Sequence, residues 1–282
     1  MRSIEPGWYA LCAALVLAAS ATVANAAAPS NILIKPNPNA TLEVRKHIDS
    51  GRCKAAIEEL KPGLKARQPD LLLLAGSMYD EGICMAPDWN KAVAMYQLAD
   101  EAGHPAAAAR LIAGYAKAGR DHGTALWWAA QRNDQGRYPA LCIPRADPAN
   151  AEAFNTELER MPAQLFRGCV YLVGVSTELY SRVQFPPTAL YHGLSGNVTM
   201  VFDAALGTIN WNQDLLIEDE RQPLGLRDLA KEGLANPRAI RRSLLTYLEE
   251  RGKFALAQYQ RPEGELDPAL VVTARFDFML QN

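Results

Sequence analysis

Between Pro69 and Gly119 the chain repeats itself, and no other feature restricts its fold so tightly. Ala75-Gly76 returns as Ala113-Gly114, Tyr79 as Tyr115 and, less closely, Lys91-Ala92 as Thr124-Ala125. The two tyrosines lie 36 residues apart, the period of a two-helix unit that buries its apolar face by stacking on its neighbours. Leu72, Ala75 and Tyr79 follow i, i+3, i+7 spacing, as do Ala92, Met95/Tyr96 and Ala99, and Ala108, Leu111/Ile112 and Tyr115. Each set predicts a helix with one apolar stripe. Pro69 and Pro105 stand where the first helical residue of a hairpin would fall, and Gly82, Gly103 and Gly119 just past helix ends, where a left-handed residue stops a helix. Gly76 and Gly114 leave room for neighbouring helices to approach closely.

The run Ala75-Gly76-Ser77-Met78-Tyr79-Asp80-Glu81-Gly82, then Asp88, Asn90-Lys91-Ala92, Met95-Tyr96 and Ala99-Asp100-Glu101-Ala102-Gly103-His104, resembles a Sel1-like repeat, a relative of the tetratricopeptide repeat. A looser copy follows from Leu111 to Gly136, and a partial one precedes, Cys53-Lys54-Ala55 to Gly76. The resemblance covers less than half of the chain. It implies an α/α superhelix over residues 41–138, used as a protein-binding scaffold.

The first 26 residues read as a signal peptide: Arg2, an apolar stretch from Trp8 to Ala21, and the small-x-small site Ala24-Asn25-Ala26, with cleavage after Ala26. The competing reading is an uncleaved membrane tether, since Trp8 to Ala28 is nearly long enough to span. Leu11 precedes Cys12 where a lipoprotein site wants a small residue. A periplasmic location is therefore expected. Four cysteines remain beyond the signal, Cys53, Cys84, Cys142 and Cys169, and an even number in an oxidising compartment favours disulfides, with three connectivities open. The repeat alignment chooses among them. Cys53 and Cys84 each follow a glycine at the turn inside a hairpin, so stacking the hairpins selects Cys53–Cys84. Cys142–Cys169 then follows by elimination and ties the end of the repeats to the next domain. Each bond closes a loop worth about 3 to 4 kcal/mol in the loop-entropy model. The cysteines lack the close C-x-x-C spacing of a tetrahedral zinc site, so no metal site is expected.

With 282 residues, two domains are the natural prior. A net charge of −2, with no basic run longer than Arg241-Arg242, argues against a nucleic-acid partner. Residues 27–40 are Pro- and Asn-rich and read as an extended lead-in. Pro139, Pro144 and Pro148 break the helical pattern, so residues 139–165 read as a linker with one connecting helix, Ala149 to Arg160, carrying Phe154 and Leu158. In residues 166–282 the period becomes strand-like. Cys169 to Val175, a continuous apolar run, reads as a short buried strand. Val198, Met200 and Phe202 alternate on one face, and Gly207 closes a hairpin turn. Asn236-Pro237 opens a helix with Ile240, Leu244 and Leu248 as its stripe. Val272, Ala274, Phe276, Phe278 and Leu280 alternate on a last strand. The order is strand, strand, helix, strand.

The entry Phe185-Pro186-Pro187-Thr188-Ala189 and the strand Gly196-x-Val198-x-Met200-x-Phe202, followed by a glycine turn, a helix and a final strand, resemble the C-terminal domain of TonB-type energy transducers over about 100 residues. The chain departs from that family in a longer Asn210–Ala235 connection, in Phe254 and Tyr259 where the family carries Trp-Arg-Phe-x-Pro, and in having no long Pro-rich spacer. The resemblance implies an α+β chain in which α/α superhelical Sel1-like repeats precede a small β-β-α-β domain. It also implies strand addition at a sheet edge, without energy transduction.

No catalytic constellation emerges. His47, His104, His122 and His192 are scattered, and Gly193-Leu194-Ser195-Gly196-Asn197 is not a G-x-S-x-G elbow. S-x-x-K and H-E-x-x-H are absent. Glu218-Asp219-Glu220 and Glu249-Glu250 are adjacent in sequence and read as solvated. Trp127-Trp128, and Trp211 between Asn210 and Asn212 on a strand read as an edge, are aromatic contact candidates. The expectation is a periplasmic, non-catalytic adaptor without cofactor or metal, whose partners are proteins of the bacterial cell envelope. The alternative is a membrane-tethered TonB-like transducer contacting outer-membrane receptors. Some cysteine-rich relatives of Sel1 repeats are β-lactamase-like, so the resemblance also implies a third reading, a cell-wall or β-lactam hydrolase.

Overall fold

The computed structural model describes residues 30–34, 41–133, 136–185, 194–218 and 237–279, with side chains described outside 30–34, 194, 214–218 and 237–244. The stretch read as a signal peptide, Cys12, Pro186–Ala189, His192, Asn236 and Leu280 lie outside the described residues, as do most of Asn210–Ala235 and the side chains of Ile240 and Leu244.

The chain is α+β. Strand β1 (Ser30–Ile34) is followed by three helix pairs: α1 (Leu42–Asp49) with α2 (Cys53–Lys65), α3 (Pro69–Glu81) with α4 (Trp89–Glu101), and α5 (Ala107–Tyr115) with α6 (His122–Gln131). After a 3₁₀ turn at Ala140–Cys142 come α7 (Ala151–Arg160) and α8 (Ala163–Arg182). The hairpin β2 (Leu194–Asp203) and β3 (Thr208–Glu218), helix α9 (Pro237–Gln258) and β4 (Val271–Phe278) complete the order.

Local chemistry accounts for several helix limits. Pro69 is the first residue of α3, and Gly82 closes it at φ +69°, a conformation that costs an L side chain about 1 to 2 kcal/mol. The carboxylates of Asp88 and Asp121 accept from the backbone amides of Lys91 and Thr124 to cap α4 and α6, and Asn150 caps α7 through Ala153. Pro105 departs from expectation: α5 starts two residues later, at Ala107. The His104 ring explains the delay, because its Nδ1 accepts from the Ala106 amide and holds residues 104–106 in a turn. Most of the predicted stripe residues are buried, with Leu72, Ala75, Ala92, Tyr96, Ala99, Leu111 and Ile112 all at 1 % exposure or less, while Tyr79, Met95 and Tyr115 are half-buried. Gly76 and Gly114 make room for rings rather than for backbone: a Cβ would stand 2.4 Å from the Tyr96 ring at the first and 2.0 Å from the Trp89 ring at the second.

The largest correction concerns Cys169–Val175. It is not a strand but the middle of α8, and every residue of that helix from Gly168 to Ser181 is buried. A short apolar run cannot by itself distinguish a buried strand from a helix apolar all round. Burial on every side decides it here, since α8 packs against α5, α6, α9 and the sheet. Its glycines permit that crowding: a Cβ on Gly174 would lie 2.6 Å from the Tyr259 ring and 2.9 Å from Ala116 Cβ.

The sheet order is β1-β4-β2-β3. Three strands are antiparallel, with Met200 opposite Ala274 across β2–β4 and Asp203 opposite Thr208 at the hairpin. β1, from the stretch read as a lead-in, joins β4 in parallel, Ile32 opposite Phe276. Val198, Met200 and Phe202 face inward with Val272, Ala274, Phe276 and Phe278, against Tyr171 and Tyr180 of α8. One continuous core runs from Ile112 and Leu126 in the helix pairs, through α8, to the sheet.

Candidate functional site

The structure joins Cys53, the first residue of α2, to Cys84 in the α3–α4 turn, and Cys142 to Cys169 on α8. Two disulfides point to an oxidising, extracytoplasmic environment. Among the described residues no helix is long and apolar enough to cross a membrane, and no three His, Cys, Asp or Glu residues cluster as metal ligands.

The described histidines lie apart from one another. His104 uses both ring nitrogens: Nδ1 accepts from Ala106, so Nε2 carries the proton and donates to Asp70 at 3.1 Å. Burial holds its pKa below the ordinary histidine value despite Asp70. His122 donates Nε2–H to the Lys117 carbonyl, 3.1 Å away. Trp127 turns its indole N–H to the Pro148 carbonyl at 2.8 Å, fastening α6 to the segment before α7, while its ring meets that of Trp128 edge-on.

Where α3 and α5 meet α8, the fold buries charges that sequence reading missed. Glu178, 2 % exposed, pairs with Arg182, whose Nη1 also reaches Glu81 at 2.7 Å. Burial opposes the charge on Arg182, but the two carboxylates outweigh it and raise its pKa. Asp80 accepts from Lys117 at 3.1 Å and Arg120 at 2.7 Å. There too burial resists the charge, and the two cations win, holding the carboxyl below its ordinary range. Arg120 stacks over Trp89 at 3.9 Å. Tyr96, pushed up to about 12 by burial, stays a neutral hydroxyl. Arg110 completes the group, with Nε and Nη1 sealed from water and unbonded. Every carboxylate named here has a cationic partner, so the cluster acts as an ionic joint between the helix pairs and α8. The one sequence signal for it is Glu178 four residues before Arg182 inside an apolar stretch.

The second arrangement is the edge of the sheet. β3 is the last strand in the order, and its exposed Asn210 and Asn212 flank Trp211. The Trp211 ring lies 5.9 Å from Phe276, and a Cβ on Gly252 of α9 would stand 3.5 Å from its indole nitrogen. Asn210, Trp211, Glu249, Gly252 and Lys253 thus border a cleft of about 380 Å³ between β3 and α9. Trp211 is the contact candidate that the structure sets in a concave surface.

No known protein family, no curated protein and no solved structure matches the chain.

Proposed function

We propose that the chain is a non-catalytic adaptor of the bacterial periplasm, in which Sel1-like helical repeats carry a TonB-C-like module that recognises an envelope protein. The observation that carries this reading is the β3 edge beside the Trp211 cleft. Among the described residues β3 pairs on one side only, with β2, and no described strand pairs with its outer backbone groups, the arrangement that strand addition uses. Glu249 and Lys253 on the cleft rim supply polar contacts around an aromatic anchor. α8 covers the face of the third helix pair, packing on α5 and α6, and the reading places recognition at the sheet edge.

A photocrosslinker at Asn210 or Asn212, used in the native envelope with mass spectrometry of the mature N-terminus, tests the proposal. Crosslinks to defined envelope proteins from a chain that starts at Ala27 support it. A chain retaining residues 1–26 and crosslinked to outer-membrane receptors replaces it with the tethered transducer. A mature chain without protein crosslinks overturns the adaptor reading.

A further inference from the structure

A second cleft, of about 260 Å³, opens where the α5–α6 turn, α8 and the segment after α9 meet. Its floor is apolar: Val170, Tyr171 and Tyr259 are at most 6 % exposed. Tyr259 is fixed there by its hydroxyl, which donates to the Ala113 carbonyl at 2.8 Å. The Tyr171 hydroxyl makes no hydrogen bond among the described residues.

Two exposed guanidiniums stand at the rim, and neutral groups orient both of them. Arg261 donates to the carbonyls of Ala204 and Ala205, and Arg167 donates to the Gln164 side chain at 2.6 Å. Neither forms an ion pair among the described residues. Glu263 is the one carboxylate among the lining residues, so the guanidiniums exceed it in charge. A guanidinium held in place without an acid is a prepared carboxylate receptor.

The cleft is smaller than the roughly 300 to 1,000 Å³ that drug-sized ligands occupy, and it suits a single residue. An apolar side chain and a carboxylate on the same residue describe the C-terminal residue of a polypeptide. We propose that this cleft captures the C-terminus of a partner protein, its last side chain on the tyrosine floor and its terminal carboxylate at Arg261 and Arg167. The proposal rests on the adaptor reading and adds a second contact, in a cleft lined by other residues than the Trp211 cleft. Crosslinking at Asn210 and peptide binding at this cleft are separate measurements, so either can fail alone.

The test is an NMR titration of the intact mature chain with acetyl-Gly-Ser-Gly-Phe as free acid, as C-terminal amide, and with 3-phenylpropionate as a small-molecule control. The expected result is perturbation of the Tyr171 and Tyr259 rings, with the free acid binding at least about tenfold tighter than the amide, the order of one charge-assisted contact. Arg167→Gln, which leaves the β2–β3 hairpin untouched, removes that preference with unchanged melting. Arg261→Gln also frees the hairpin carbonyls and is read beside it. Equal binding of acid and amide overturns the proposal, as does perturbation elsewhere in the chain. Phenylpropionate binding tighter than the peptide overturns the polypeptide C-terminus as occupant.

Discussion

The first two helix pairs and the second half of the chain are held together by different physics. Around α1–α4 the apolar contacts form small patches, each shared by neighbouring helices, such as Val44, Ala56, Leu60, Leu71 and Met78. Ion pairs there include exposed neighbours one turn apart, Glu43 with Lys46 and Glu58 with Lys61. From α5 onward one core joins helices and sheet, and its largely buried cations Arg120 and Arg182 reach back across long sequence separations to Asp80 and Glu81 at the end of α3. The first region is close to a one-dimensional stack, stable by nearest-neighbour terms. The second depends on α8, which no neighbour in sequence can bury. A lesion should therefore stay local in the first region and spread in the second.

The sharpest test is Glu178→Ala. It leaves Arg182 and Arg110 buried with one carboxylate fewer, and about 3 to 5 kcal/mol should be lost in urea denaturation. A loss below about 1 kcal/mol would put this joint on a level with surface pairs and erase the contrast. Removing the disulfides comes next. Replacing Cys142 and Cys169 by alanine, or Cys53 and Cys84, should each cost roughly 3 to 4 kcal/mol from loop entropy. The first pair should cost more, since Cys142 and Cys169 are both at 0 % exposure and leave a cavity. Equal losses would mean that the core around α8 repacks freely. Gly174→Ala, which drives a methyl into Tyr259 and Ala116, should lower stability by about 1 to 3 kcal/mol.

Acid should act in two steps. His104 has a lowered folded pKa, so it stabilises the native state fully above its unfolded value, about 6.5, and that contribution is lost as pH falls below it. His104→Asn should remove this first step from stability measured between pH 7 and pH 5. Asp80 is also lowered, and its contribution, present above the ordinary carboxylate value of about 4, is lost only as pH falls further. Asp80→Asn should flatten that second step. At the bottom of the scale, Glu43→Ala breaks an exposed pair and should leave the melting curve unchanged.

The helix pairs were legible because their signals are local. Pro69 and Gly82 act within a turn of where they stand, and a stripe such as Ala92, Tyr96 and Ala99 needs only a 3.6-residue period. The alternating inward faces of β2 and β4 were legible for the same reason, with a period of two. The candidate cleft was legible only through Trp211. Its partner, Gly252 of α9, lies 41 residues away, and nothing in either segment announces the other.

What this sequence determined alone was the set of elements whose periodicity and end residues agree. These are the stacked helix pairs, the glycine-closed hairpin and the final strand, together with four cysteines spaced so that two turns of adjacent hairpins meet. Tertiary structure decided everything that required knowing what surrounds a residue. It made Cys169–Val175 a helix by enclosing it on all sides, drew Ser30–Ile34 into the sheet beside a strand some 240 residues later, and gave Arg182 its second carboxylate, Glu81 of α3. The reason is physical: periodicity reports one apolar face, whereas a segment buried all round has no face to report, and a buried charge is stable only where distant chain supplies its partner.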